Sequence, residues 1–254
     1  MKRLLQLEWL KLASYRTFYV FTIAYALLIL GVYYGFDKLI TIGILDLSVV
    51  YKFPKVWYYA AYVGTWFAPI LCLLIINLVA NEFSFKTLRQ HIIDGLTREQ
   101  VLYAKLILAA ALSISGGLIV GLTGLIVGLV KSGAGTDGAI FQNIDYLLRL
   151  IWMTFGLQTA AILITLLVKR SALSILVFLG FMWIIEPLIG NIWLKDLYPY
   201  FPLNAFDNIV ASPISIDPPS FGIHSTPIGV MIAAIIYPFI YIATSIYIIK
   251  KKDY

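Results

Sequence analysis

Six apolar stretches limit what this chain can become: residues 17–36, 56–80, 102–130, 147–168, 171–189 and 228–249. Crossing the hydrocarbon core of a bilayer takes about 20 residues of helix, and each stretch comes close to or exceeds that. In hydrocarbon a lone segment must satisfy its own N–H and C=O groups, so each is predicted to be a helix. The third is long enough that it has to tilt or project beyond the bilayer. Composition closes the soluble alternative. Apolar residues make up 61% of the 254 and charged residues only 13%, against roughly 45–50% and about 25% in soluble domains. One aqueous core of this size cannot hide so much apolar surface. No small-x-small cleavage site follows the first stretch, which is therefore read as a retained span and not a signal peptide. The expectation is one transmembrane domain over residues 1–254.

The basic residues set the predicted orientation. With the N-terminus cytoplasmic, thirteen of the 19 Lys and Arg fall on inner segments and six on outer ones. Both termini are then inside. Tyr33, Tyr34, Trp57, Tyr58, Tyr59 and Tyr62 cluster where the first two spans should meet the outer interface. The net charge of +6 is thereby a matter of topology, and nucleic acid is not an expected partner.

No enzyme constellation is visible. His91 and His224 fall on opposite sides of the predicted membrane, and no H-E-x-x-H or G-x-S-x-G pattern occurs. The single cysteine, Cys72, lies inside an apolar run and reads as a small core residue. The glycines of the outer loop 131–146 lack the spacing of a phosphate cradle. The chain therefore has no means of hydrolysing ATP.

Between spans two and three runs the inner loop NEFSFKTLRQHIIDGLTREQVLYAK. Residues 84–93 have helical spacing, with Phe85, Leu88 and Ile92 on one face and Lys86 and Arg89 off it. Asp94-Gly95 signals a turn. Thr97 followed by Gln100 is a capping-box pattern that should start the third span. Before the first span, Leu5, Trp9 and Leu12 recur at i, i+4 and i+7 beside Lys2, Arg3, Lys11 and Arg16, predicting a helix on the inner leaflet, in contact with membrane lipid. Residues 190–227 are expected to hold an aromatic part that is interfacial or re-entrant, then a proline-rich extended strap.

Three further features stand out within the spans. Glu186, beside Pro187 near the outer end of span five, is an ionisable residue at membrane depth and so a candidate for transport. Gly117, Gly121, Gly124 and Gly128 form a small-residue seam that suits close packing, within the chain or between copies. Pro69 and Pro238 each remove a backbone bond from a span. Thr65, Gln158 and Thr159 are interior candidates for contact with a substrate.

Glu8 and Lys11 in an E-x-x-K arrangement, and an inner loop of the form E…G-T-x-R…[ST]-R…K, carry a family likeness. Here the loop reads Glu82, Lys86-Thr87, Leu88, Arg89, Thr97-Arg98 and Lys105, with Lys86 where a glycine is usual. The chain resembles an ABC-2-type transporter permease, the membrane subunit of certain bacterial ATP-binding-cassette exporters. That resemblance implies an all-α membrane protein with six transmembrane helices, an N-terminal interfacial helix and a cytoplasmic coupling helix over residues 84–93. It further implies that this helix docks on a separate ATPase subunit, through Glu82, Phe85, Lys86, Thr87, Leu88, Arg89, Ile92 and Arg98. A second permease copy or a sister permease completes the expected assembly, in the bacterial cytoplasmic membrane. ATP and Mg belong to the ATPase partner, and no cofactor is expected in this chain. The rival readings are a secondary transporter or channel, which should show paired broken helices, and an intramembrane enzyme.

Overall fold

The computed structural model describes residue 12 and residues 15–41, 51–85, 97–132, 140–212, 214–216, 219–221 and 226–251. Among them, six helices are long and apolar enough to cross a membrane. They are α1 (Arg16–Thr41), α2 (Val56–Ser84), α3 (Arg98–Ser132), α4 (Asp145–Val168), α5 (Ser171–Gly180, continued beyond a wide turn by α6, Glu186–Ile192) and α8 (Ile228–Lys251). A one-turn helix α7 (Asn204–Asp207) and a two-stranded ribbon, β1 (Ile214–Ile216) with β2 (Pro219–Phe221), lie between α6 and α8. The ribbon pairs Ile214 with Phe221 and Ile216 with Pro219, so part of the predicted strap is extended and paired.

The helices outrun the apolar stretches because polar residues cap them. Thr97 N–H donates to Gln100 Oε1 at 3.0 Å, and Gln100 N–H to Thr97 Oγ1 at 3.3 Å. This reciprocal pair is the predicted capping box, and it satisfies two donors that the first turn of α3 leaves open. At the same end of the bundle, Lys169 closes α4 in the left-handed conformation, φ 61°. Only Lys169 and Arg170 separate α4 from α5, so the chain must reverse within two residues.

α2 and α4 form the centre. Both are largely buried, whereas α1 and the α5 span are mostly exposed on the flanks. Between lipid-soluble helices the hydrophobic effect gives little drive, and close backbone approach matters more. The central helices accordingly place small residues at their contacts. Gly64 of α2 faces Leu150 and Val120, and Gly117 and Gly121 of α3 face Ile151 and Leu147 of α4. Gly124 meets Ala60 and Trp57, and Gly128 meets the ring of Phe53. The small-residue seam of the third span is thus used inside the chain.

Two prolines shape the spans. Pro187 cannot donate to Trp183 O, and its ring crowds that carbonyl. Just ahead of it, residues Phe181–Ile185 widen into a π-helical turn in which Glu186 N–H reaches Phe181 O. Pro238 likewise leaves Ala234 O without its helical donor. The Trp152 indole N–H of α4 takes that carbonyl at 3.1 Å, so the broken bond becomes an interhelical one.

The predicted helix over 84–93 begins differently from expectation. Ser84 is the last residue of α2, and Phe85 closes that helix with its N–H on Asn81 O at 2.9 Å. Residues 86–96 lie outside the described residues, and with them Lys86, Thr87, Leu88, Arg89 and Ile92. So do Glu8 and Lys11. Leu12, placed by the sequence on a membrane-facing surface, is instead buried in the protein core. Nearby, the Tyr15 hydroxyl accepts from Asn81 Nδ2 at 3.0 Å.

Candidate functional site

The two ends of the bundle differ in chemistry. The end carrying Ser84, Arg98, Lys169 and Lys251 is called here the basic end. The opposite one, carrying Tyr33, Trp57, Tyr58 and Tyr146, is the aromatic end.

At the basic end α2 and α3 meet through charge. Glu82 Oε1 lies 2.7 Å from Lys105 Nζ, with the two side chains 8% and 5% exposed. Glu82 is therefore turned into the bundle and away from any docking surface. Three residues later the surroundings invert: Phe85 is 73% exposed, an aromatic ring presented at the mouth of the 86–96 loop. The root of α3 is also tied to α8. Glu99 Oε1 pairs with Lys250 Nζ at 2.8 Å, and Arg98 Nη1 donates to Ile249 O at 3.4 Å. Of the residues singled out from the sequence, the structure thus brings Glu82, Phe85 and Arg98 to one end of the bundle. Lys250, the partner of Glu99, was not anticipated, since nothing in a terminal run of lysines indicates which span it will touch.

At the aromatic end the chain between α6 and α8 folds back into the bundle. Phe206 packs so closely on Gly156, near the middle of α4, that a Cβ there would fall 2.1 Å from the ring. The segment 198–210 therefore packs into the bundle against α4 and α8. Irregular backbone at such depth persists only where protein supplies its hydrogen bonds, and here the supply can be traced group by group.

The carbonyls are met by hydroxyls. Tyr237 and Tyr241, one turn apart on α8, donate to Tyr200 O at 2.8 Å and Pro202 O at 2.9 Å. Thr226 donates to Ile209 O at 2.9 Å and Tyr58 to Ala211 O at 2.8 Å. The rings of Tyr237 and Tyr241 stack with centroids 5.9 Å apart, and both lie within 6.5 Å of Phe206. Two N–H groups at the start of α7 are met by Glu186. Leu203 N–H donates to Oε1 at 2.9 Å and Asn204 N–H to Oε2 at 2.8 Å. Glu186 itself is 2% exposed. An ionised carboxylate is a strong acceptor for backbone donors, so this side chain fixes where α7 begins.

The other interior candidates are packed. Thr65 Oγ1 donates to Tyr62 O and Thr159 Oγ1 to Gly156 O, each at 2.7 Å and each within its own helix. Gln158 Oε1 accepts from Ser113 Oγ at 3.4 Å, with both residues fully buried. All three side chains are buried. An apolar recess lies on the flank, a groove of about 470 Å³ between α4 and α8, lined by Leu148, Arg149, Trp152, Ile209, Met231 and Phe239 among others.

A search among curated proteins finds no match. The family model described as ABC-2 family transporter protein matches residues 4–184, well over half of the chain. The match takes in the charge-paired roots of α2 and α3 and stops two residues short of Glu186, so the segment 198–210 and α8 lie beyond it. With six helices long and apolar enough to cross a membrane and a matched region spanning the first four and most of the fifth, this multi-pass membrane protein belongs to the ABC-2 family of transporter proteins.

Proposed function

We propose that the chain is the permease subunit of an exporter, and that a separate ATPase subunit docks on the 86–96 loop and supplies the energy of ATP hydrolysis. The observation that carries this reading is the geometry around Phe85. A bulky aromatic ring stands exposed at the end of a buried span, on a loop whose two ends enter the bundle beside a buried ion pair. Exposed aromatic side chains of this kind act as anchors in partner pockets. Lys86, Thr87, Leu88, Arg89 and Ile92 continue the docking surface, and Arg98 braces its far end. Two permease copies, or one and a sister chain, would pair above two ATPases that bind ATP and Mg. The excess of Lys and Arg at the basic end supports a cytoplasmic location for that end and both termini, in a bacterial membrane.

Cycles of ATP binding and hydrolysis would shift the bundle between two states by acting on the loop. At the opposite end Glu186 acts as a positioning residue, holding the start of α7 in the path that substrate must take. The test is co-purification of the ATPase with the permease, alongside its ATP hydrolysis. Phe85→Ala should release or uncouple the ATPase, because loss of a buried aromatic anchor commonly costs over about 2 kcal/mol. Arg89→Ala should weaken binding modestly and most visibly at low salt. Full binding and coupling in Phe85→Ala would remove the anchor. Failure of any ATPase to co-purify with the wild-type chain would favour a secondary transporter.

A further inference from the structure

The groove between α4 and α8 has an apolar body and a charged mouth. Leu148 and Trp152 of α4, Ile209, and Met231, Ile235 and Phe239 of α8 make the body. The last three recur every four residues and so share one face of α8. Eight residues separate Met231 from Phe239, a rise of about 12 Å, so the groove runs from the aromatic end toward the middle of the span. Leu148, Ile235 and Phe239 are exposed, and the groove opens sideways. In a bilayer that side faces acyl chains.

Lipid contact alone would not call for charge, yet Arg149 lines the groove one turn inside α4. Asp145 stands one turn further out, in the first turn of that helix. Arg149 Nε and Nη2 both lie on one oxygen, Asp145 Oδ2, at 3.0 and 2.8 Å. Asp145 Oδ1 and Arg149 Nη1 make no bond among the described residues. The guanidinium rests 4.6 Å from the centre of the Tyr146 ring, which steadies it at the mouth. The side chain of Asp145 is 52% exposed and that of Arg149 28%, so the cation is the member turned toward the groove.

A phospholipid with an ethanolamine headgroup carries its groups in the same order. The acyl chain comes first, the phosphate next, and the ammonium furthest out. With a chain in the groove, the phosphate falls at Arg149 and the ammonium at Asp145, one turn or about 6 Å further along. Both contacts are charge-assisted, and guanidinium suits phosphate in particular. A glycerol headgroup offers Asp145 no cation, and a choline headgroup offers it no N–H. We propose that the α4–α8 groove binds one molecule of phosphatidylethanolamine, with an acyl chain along Met231, Ile235 and Phe239, the phosphate on Arg149 and the ammonium on Asp145. The site goes beyond the exporter reading and does not depend on any ATPase.

The experiment places the full chain in nanodiscs of phosphatidylcholine with a trace of phosphatidylethanolamine bearing a diazirine in its acyl chain. Labelled residues are located by peptide mass spectrometry. Label is expected on Met231, Ile235 or Phe239. Unlabelled phosphatidylethanolamine should compete about tenfold better than phosphatidylcholine or phosphatidylglycerol, the equivalent of one charge-assisted hydrogen bond. Arg149→Gln should lower labelling about tenfold for the same reason. Exchange of the charges, Asp145→Arg with Arg149→Asp, keeps an ion pair but reverses the order, and the headgroup preference should vanish. Should these variants fold poorly, Ile235→Trp fills the groove without touching either charge, and the same loss of labelling is expected. Groove labelling that ignores the headgroup, or that survives Arg149→Gln, would mean bulk lipid only and overturn the site. So would a folded exchange variant that keeps the preference. An unlabelled groove would overturn it too. If Met231→Cys in a Cys72→Ser background then cross-links to its counterpart, the groove belongs to a second copy of the chain.

Discussion

The two ends of the bundle satisfy their polar groups by opposite means. The basic end joins side chain to side chain, charge to charge, between regular helices. The aromatic end joins side chain to backbone, with tyrosine and threonine hydroxyls and one carboxylate serving an irregular segment. The first arrangement holds whole helices together through a few charge pairs. The second divides its hold among many contacts, and most of them are neutral hydrogen bonds of modest individual strength. The basic end thus concentrates its hold in a few ion pairs, and the aromatic end shares it among many weaker bonds.

The widest separation between the ends should appear in accessibility. In intact cells, single cysteines at Ser132 and Ser220 in a Cys72→Ser background should react with a membrane-impermeant thiol reagent, and one at Ser84 should not. Reaction at Ser84 alone would exchange the two sides assigned here. Next in size is the cost of breaking charge at the basic end. Lys105→Met takes away the cation 2.7 Å from buried Glu82 and should destabilise the fold by about 3–5 kcal/mol, read by reversible unfolding in mixed micelles. Replacing both partners by apolar residues should recover most of that loss. A single-variant cost below that of any one tyrosine would erase the contrast drawn between the ends.

At the aromatic end the effects should be smaller and graded. Glu186→Ala orphans the Leu203 and Asn204 N–H groups and should cost about 2–4 kcal/mol. Glu186→Gln keeps one acceptor and should cost less, while lowering transport more than it lowers folded yield. Equal transport per folded molecule would leave Glu186 with no part in the pathway. Tyr237→Phe removes one hydroxyl from Tyr200 O, and about 0.5–1.5 kcal/mol is expected, measured the same way. Should Tyr237→Phe equal Glu186→Ala, the hold on residues 198–210 would be concentrated and not shared.

Much of the architecture was legible because lipid removes choices. An apolar run of some 20 residues in hydrocarbon can satisfy its backbone only as a helix, so all six spans could be placed within a few residues from the sequence alone. The Thr97–Gln100 capping box was equally readable, since both partners lie within one turn and their geometry follows from helix formation itself. The family likeness carried by Glu82, Arg98 and Lys105 was present in the residues before any fold was known.

Tertiary structure decided the rest, and the reason is the same lipid. Hydrocarbon tails are as apolar as leucine, so a span shows little contrast between its buried and lipid-facing sides, and its rotation cannot be read from hydropathy. Hence Glu82 and Phe85, three residues apart, could not be told apart as inward and outward until α2 was packed. Depth posed the same difficulty for residues 198–210, whose aromatic composition suits a membrane interface and a protein interior alike. Only the approach of Phe206 to Gly156, and the meeting of Glu186 with two N–H groups 17 and 18 residues further on, show the segment packed inside the bundle. Apolar length determines how often this chain crosses the membrane; which polar groups meet inside is determined by packing, because their partners come from distant parts of the chain.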